Sequence, residues 1–265
     1  MIVSFTKMHG LGNDFVIIDL ITQSARLQKS HIQGIADRRF GIGCDQVILI
    51  TPPTRAEADF FYKIFNADGG EVEQCGNGVR CAAKFFRDSG LTDKNTMIAD
   101  CLGGTANLTI EDNDQVSVDW RLDPPLITSK ILDYPQLPNE IHSVSVGNPH
   151  GICIVEDLRN INLRSWGEIL TKDPMFPNQA NISFMQVRNR NLAEVRVYER
   201  GVGPTLACGS AACAATIIGK HLNLLDNTAI IKFEVGELLV TLSQENNCIN
   251  MTGPANSVYI GRFKV

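Results

Sequence analysis

The sequence predicts an α/β protein, of the α+β kind, made of two similar halves. Three observations predict it. Strand-like runs are short and frequent, helical spacing is confined to a few places, and local patterns recur 133 to 135 residues further along. Each half reads as a strand-rich unit with one central helix, and two like halves commonly face each other about a pseudo-twofold axis.

The compact apolar runs lie at residues 15–18, 47–50, 152–155 and 230–233, while residues 115–120 and 194–198 alternate as half-buried strands do. Helical spacing appears first at Ile32, Ile35, Ala36 and Arg39, after Ser30 as a cap and before Gly41 as a stop. Val79, Ala82, Ala83 and Phe86 form a second helical face that ends near Gly90, and Leu163, Trp166, Ile169 and Leu170 form a third. Residues 208–218 are apolar all round, so that helix is expected to be buried on every side.

The repeat emerges from matched pairs. Gly12-Asn13 answers to Gly147-Asn148, Asp45-Gln46 to Ala180-Asn181 and Phe65-Asn66 to Tyr198-Glu199. Cys75-Gly76-Asn77 answers to Cys208-Gly209-Ser210, and the turn at Gly103 to Gly236. Residues 1–120 are expected to form the first half, joined by the last strand (256–265), and residues 121–255 the second, with Asp123-Pro124-Pro125 interrupting the pattern between them.

Composition excludes several function classes. The 265 residues carry 24 basic and 29 acidic side chains, a net charge of −5, which argues against nucleic acid or an anionic membrane as the main partner. No apolar run approaches the ~20 residues of a membrane span, and the first residues lack the features of a secretory leader, so a cytoplasmic location is expected. The eight cysteines are then expected to be reduced.

Two of those cysteines stand out. Cys75 and Cys208 each open a helix after a glycine-containing turn. Helix starts carry unpaired N–H groups and about half a positive charge. Such a place favours a thiolate and forms a cradle for a carboxylate. A base beside a carboxylate is what removal of a proton alpha to that carboxylate requires. With two matched halves, one thiol could take the proton from one face of a carbon while the other supplies a proton on the opposite face. One must then be a thiolate while the other is a thiol. Cys81, Cys101, Cys153, Cys213 and Cys248 read as ordinary packing.

These residues sit in motifs that resemble the diaminopimelate epimerase family: Phe5-Thr-Lys-Met-His-Gly-Leu-Gly-Asn-Asp-Phe15, Asn66-Ala-Asp-Gly, Gln74-Cys-Gly-Asn-Gly-Val-Arg-Cys81, Gly147-Asn-Pro-His150, Tyr198-Glu-Arg-Gly-Val-Gly203 and Ala207-Cys-Gly-Ser210. The resemblance implies that each half is a strand barrel around its central helix, with the active site in the interdomain cleft. It implies a cofactor-independent isomerase that interconverts LL- and meso-diaminopimelate, in lysine and cell-wall precursor biosynthesis. Catalytic roles carry over to Cys75, Cys208, His150 and Glu199. Substrate contacts carry over to Asn13, Gln46, Asn66, Gly76, Asn77, Asn148, Asn181, Glu199, Arg200, Gly209 and Ser210. No cofactor and no metal are expected, and a homodimer is, with Tyr259 at its contact. Family members often have Ser at Gly70, Glu at Pro204 and Gly at Ala211; none of these removes a group assigned to chemistry.

Other readings differ in identifiable ways. A racemase of simple amino acids on the same fold would lack the clamp for a second amino-acid head that Asn66, Asn181, Glu199 and Arg200 offer. A zinc or binding protein would need a complete ligand set, and Cys75-x5-Cys81 and Cys208-x4-Cys213 supply no Cys-x2-Cys or paired histidines. A dinucleotide enzyme would need a third glycine where Phe15 stands.

Overall fold

The computed structural model describes residues 2–121, 125–134, 136–243 and 248–264. Asp123 and Pro124 of the expected interruption, and Val265 of the expected last strand, lie outside the described residues. Contacts divide the chain into two compact units, residues 1–120 with 252–265, and residues 121–251.

In the first unit β1 (Ile2–Gly10) turns through Leu11-Gly12 into β2 (Asn13–Asp19). Both turn residues have positive φ, 53° and 80°. That is the hairpin geometry whose twist matches paired strands, and glycine adopts it without strain. α1 (Lys29–Ala36) leads to β3 (Gln46–Thr51), which runs parallel to β2. β4 (Phe60–Asn66) and β5 (Glu71–Val72) follow antiparallel. α2 (Gly76–Asp88) leads to β6 (Thr96–Cys101), parallel to β4, and β7 (Gly104–Ile110) and β8 (Val116–Arg121) close the series as antiparallel neighbours.

The second unit adds β9 (Thr128–Ile131) and then repeats the plan. Its elements are β10 (Glu140–Ser145), β11 (Pro149–Ile154), α3 (Leu163–Leu170), β12 (Asn181–Asn189), β13 (Leu192–Glu199), β14 (Gly203–Thr205), α4 (Gly209–His221), β15 (Thr228–Phe233) and β16 (Gly236–Ser243). β11 and β12 are parallel, as are β13 and β15, and the other pairs are antiparallel. β17 (Cys248–Gly253) precedes β18 (Asn256–Lys264), which pairs antiparallel with β1.

The pairing carries the repeat down to single residues. Phe15 lies opposite Gln46 and His150 opposite Asn181; Val47 lies opposite Phe65 and Ile182 opposite Tyr198. Both central helices also end alike. Gly90 (φ 74°) and Asn223 (φ 57°) adopt the left-handed conformation just past the helix. Leu91 N–H then donates to Phe86 O (3.2 Å) and Leu224 N–H to Gly219 O (2.8 Å), closing the last carbonyls.

Strand alternation explains the core of the first unit. Phe15, Ile17, Ile48 and Ile50 point to α2 and pack on Val79, Ala82, Ala83 and Phe86. Val16, Ile18, Val47 and Leu49 point the other way, to Ile32, Ile35 and Ala36 of α1. Strands covered on both faces read as unbroken apolar runs, and each such side chain contributes about 1.5–3 kcal/mol by leaving water. In the second unit α4 packs against β10, β11, β12, β13, β15 and β16. Its Ala211, Ala212, Ala214, Ala215 and Ile218 are all fully buried, which an apolar, small-residue surface permits.

Several local expectations need correction. α1 is capped by Gln28, not Ser30, because His31 Nδ1 accepts the Gln28 N–H (3.0 Å) in a reciprocal cap, and Arg39 lies beyond the helix. Ile169 of α3 is 43% exposed, so the buried stripe there is Leu163, Gly167 and Leu170. The turn residue that answers to Gly236 (φ 147°) is Gly104 (φ 115°), not Gly103. Each opens the second strand of a hairpin with two loop residues, opposite Phe233 and Cys101 respectively. Among the described residues no helix is long and apolar enough to cross a membrane.

Candidate active site

In the first unit two groups of expected residues assemble. Cys75 ends an extended segment (φ −147°, ψ 121°) and caps α2, so Gly76 and Asn77 supply its first free N–H groups. Cys75 Sγ lies 3.7 Å from Asn13 Oδ1, and Asn77 Nδ2 lies 3.5 Å from the same oxygen. Asn13 presents that oxygen because its Nδ2 is taken by Asp45 Oδ2 (3.1 Å). Asp45 is in turn held by Arg38 (2.7 Å), which also bonds Asp14 with Lys7. Burial would push the Asp14 carboxyl up, but the bonds from Arg38 and Lys7 outweigh it and hold it well below the usual carboxylate range. The second group is Gln46 and Asn66, on facing strand positions, with Gln46 Nε2 donating to Asn66 Oδ1 (3.0 Å).

The second unit also gathers its residues in two groups. His150 is fully buried at the start of β11. Its Nε2 meets Asn148 Oδ1 (3.1 Å) and Asn181 Nδ2 (3.4 Å), while Nδ1 has no partner among the described residues. Burial, aided by the Arg200 charge, pushes its pKa down to about 3, so the ring is neutral at physiological pH. Asn181 Oδ1 accepts the Arg200 N–H (2.9 Å), which links the group to the end of β13. That strand stops at Glu199, and the turn through Gly201 (φ 76°) releases Arg200 from strand alternation. Arg200 Nη1 donates to Asn178 O (3.2 Å) and the side chain is exposed.

Cys208 forms the other group. It caps α4 in extended conformation (φ −141°, ψ 121°), and its Sγ lies 3.3 Å from Ser210 Oγ. The expected lowering of its pKa is overturned. Burial, with the Glu199 carboxylate beside it, raises the thiol well above its ordinary value, although Ser210 and the Ala211 N–H pull the other way. A helix start stabilises an anion by about 2 kcal/mol at most, less than complete desolvation costs. Cys208 is therefore a protonated thiol. Among the described residues no cluster of three or more His, Cys, Asp or Glu side chains could hold a metal ion.

Residues 5–124 and 142–258 match the family model described as Diaminopimelate epimerase. The chain belongs to the diaminopimelate epimerase family. A diaminopimelate epimerase of Nitrosomonas europaea is 46% identical over 98% of both chains, and one of Thioalkalivibrio sulfidiphilus is 43% identical over the whole of both. Among solved structures, a PhzF-family phenazine biosynthesis protein of Bacillus anthracis superposes with a TM-score of 0.76 at 17% identity, covering 100% of each chain. A probable proline racemase of Agrobacterium radiobacter gives a TM-score of 0.69 at 12% identity, over 99% of this chain and 93% of its own. These two likenesses show the shared fold.

Sequence reasoning missed two supporting residues in this diaminopimelate epimerase relative. Asp45 orients Asn13, and its place beside Gln46 was the available signal. Thr205 Oγ1 donates to Glu199 Oε1, fixing the carboxylate that raises Cys208. Its signal was position, three residues before the thiol in the strand that pairs with β13.

Proposed function

We propose that this protein interconverts LL- and meso-diaminopimelate by moving the proton on one alpha carbon between two thiols, without a bound cofactor. The observation that carries the reading is the matched pair of cysteines at helix starts, Cys75 on α2 and Cys208 on α4, within a chain of this family. In the reaction the two units face each other and the substrate lies in the cleft between them. Its reacting carboxylate accepts N–H bonds from Gly76-Asn77 and Gly209-Ser210, which also spread the negative charge that develops when the alpha proton leaves.

With Cys208 protonated at rest, Cys75 acts as the thiolate base. Its sulfur takes the proton, the electron pair passes into the carboxylate-stabilised carbanion, and the Cys208 S–H delivers its proton to the opposite face. The centre is inverted, Cys75 is left as thiol and Cys208 as thiolate, and exchange with solvent resets the pair. Glu199 stabilises the protonated Cys208, and neutral His150 supports the thiols through Asn148 and Asn181.

The far end of the substrate is a second amino-acid head. Arg200 meets its carboxylate through two parallel N–H bonds and Glu199 its ammonium, while Asn13, Gln46, Asn66, Asn148 and Asn181 complete the polar frame. The protein works in the cytoplasm, in lysine and cell-wall precursor supply, as a homodimer. The exposed Val258, Tyr259 and Ile260 on β18 support that contact, and light scattering of Tyr259→Ala against wild type tests it.

The deciding assay supplies LL-diaminopimelate to purified protein with no added cofactor, alongside alanine and proline. Conversion to the meso form with the simple amino acids untouched is expected. Isomerisation of the simple amino acids alone would replace this reading with that of a general racemase.

A further inference from the structure

Arg80 is the bulkiest fully buried side chain among the described residues, with no exposed surface at all. It lies one turn into α2, and its guanidinium spreads over the start of that helix. Nη2 donates to Asn77 Oδ1 (2.7 Å), Nη1 to Gly76 O (3.3 Å) and Nε to Pro254 O (3.4 Å). β1 makes room for it at Gly10, where a Cβ would stand 3.3 Å from Nη2 and 3.2 Å from Asn77 Cβ.

This placement works against folding in two ways. Taking a guanidinium out of water is costly, and a cation at a helix N-terminus opposes the helix dipole. The bonds to Asn77, Gly76 and Pro254 offset part of these costs, and an anion received at the helix start would offset more. The contacts also settle the direction of the Asn77 amide. With Oδ1 turned to Arg80, Nδ2 faces Asn13 Oδ1, the oxygen that Cys75 Sγ also approaches.

We propose that Arg80 is the positioning residue of the Cys75 half-site. It turns the Asn77 amide N–H2 toward the reacting side and places a permanent positive charge behind the Gly76-Asn77 amides that receive the substrate carboxylate. The proposal rests on the carboxylate-cradle reading given above. It predicts that the half-site attracts carboxylates as such, apart from any turnover.

Alkylation of Cys75, read by peptide mass spectrometry, tests it with two reagents that differ in charge. Iodoacetate carries a carboxylate and iodoacetamide does not. Wild-type protein is expected to favour iodoacetate at Cys75 relative to the ratio for free cysteine. Arg80→Gln is expected to lower that ratio about tenfold, the usual cost of a lost charge-assisted hydrogen bond. Arg80→Lys, which keeps the charge but loses the three-way fork, is expected to fall between them, and thermal melting confirms that each variant is folded. Should Arg80→Gln not fold, Arg80→Lys decides alone: a ratio equal to wild type overturns the proposal. Slowing of both reagents by one factor would make Arg80 merely structural. Wild-type preference retained in both variants would remove Arg80 but leave the carboxylate cradle standing, whereas wild type with no preference would remove both.

Discussion

The starts of α2 and α4 occupy matching places in the repeat, and each follows a cysteine with nearly the same backbone conformation. Their surroundings differ. Cys75 is partly exposed and faces the oxygen of an asparagine amide; Cys208 is buried, 8% exposed, against Ser210 and a carboxylate. α2 buries the long charged side chains of Arg80 and Lys84, whereas the core of α4 is alanine and isoleucine. A shared helix start therefore does not set the state of a thiol. Its neighbours do: burial and the Glu199 carboxylate hold Cys208 as the thiol, whereas Cys75 is half-buried and donates to Asn13 Oδ1.

The sharpest way to break this comparison is to remove each sulfur in turn. Cys75→Ser and Cys208→Ser should each lower kcat/KM for epimerisation by at least about a hundredfold, the usual weight of one positioned acid or base. Full activity in either would dismiss the pairing. Glu199→Gln comes next, with a loss of about tenfold or more. Because the carboxylate raises the Cys208 thiol, its removal should shift the midpoint of Cys208 alkylation by iodoacetamide to lower pH; an unmoved midpoint would show that burial alone sets the thiol.

Arg200→Lys keeps the charge but loses the two-pronged geometry. An increase in KM of about tenfold with kcat little changed is expected from steady-state kinetics, and a fall in kcat alone would move Arg200 from binding to chemistry.

His150 sharpens the comparison through stability. Its folded pKa, about 3, lies below the unfolded value near 6.5, so the unfolded chain binds the extra proton between those values. Stability is then complete above about pH 6.5 and falls toward pH 3, with a slope of up to about 1.4 kcal/mol per pH unit. Urea titrations from pH 7 to pH 4 should show that decline, and His150→Gln should flatten it. An equal decline in the variant would assign it to the carboxylates.

Much of the fold was readable from spacing. Residues 15–18 and 47–50 are buried on both faces, so their unbroken apolar runs report strands, and Val79, Ala82, Ala83 and Phe86 mark one helical face. The family motifs located the candidate site residues along the chain. What escaped was decided by side chains meeting across the fold. The cap of α1 depends on a bond between His31 and Gln28, and the hairpin glycine is known only from its φ. The protonation of Cys208 depends on burial and on Glu199, nine residues earlier in sequence. Asp45 and Thr205 act on Asn13 and Glu199 through hydrogen bonds that no local pattern announces.

The most direct measurement follows the first turnovers of LL-diaminopimelate in heavy water by mass spectrometry and proton NMR. A thiol that donates on the opposite face carries a solvent-derived deuteron. The meso product should therefore hold deuterium at its inverted alpha carbon from the outset, while unreacted substrate keeps its hydrogen. Early product that retains the substrate's own hydrogen would mean that one group both takes and returns it, and would contradict the two-thiol account.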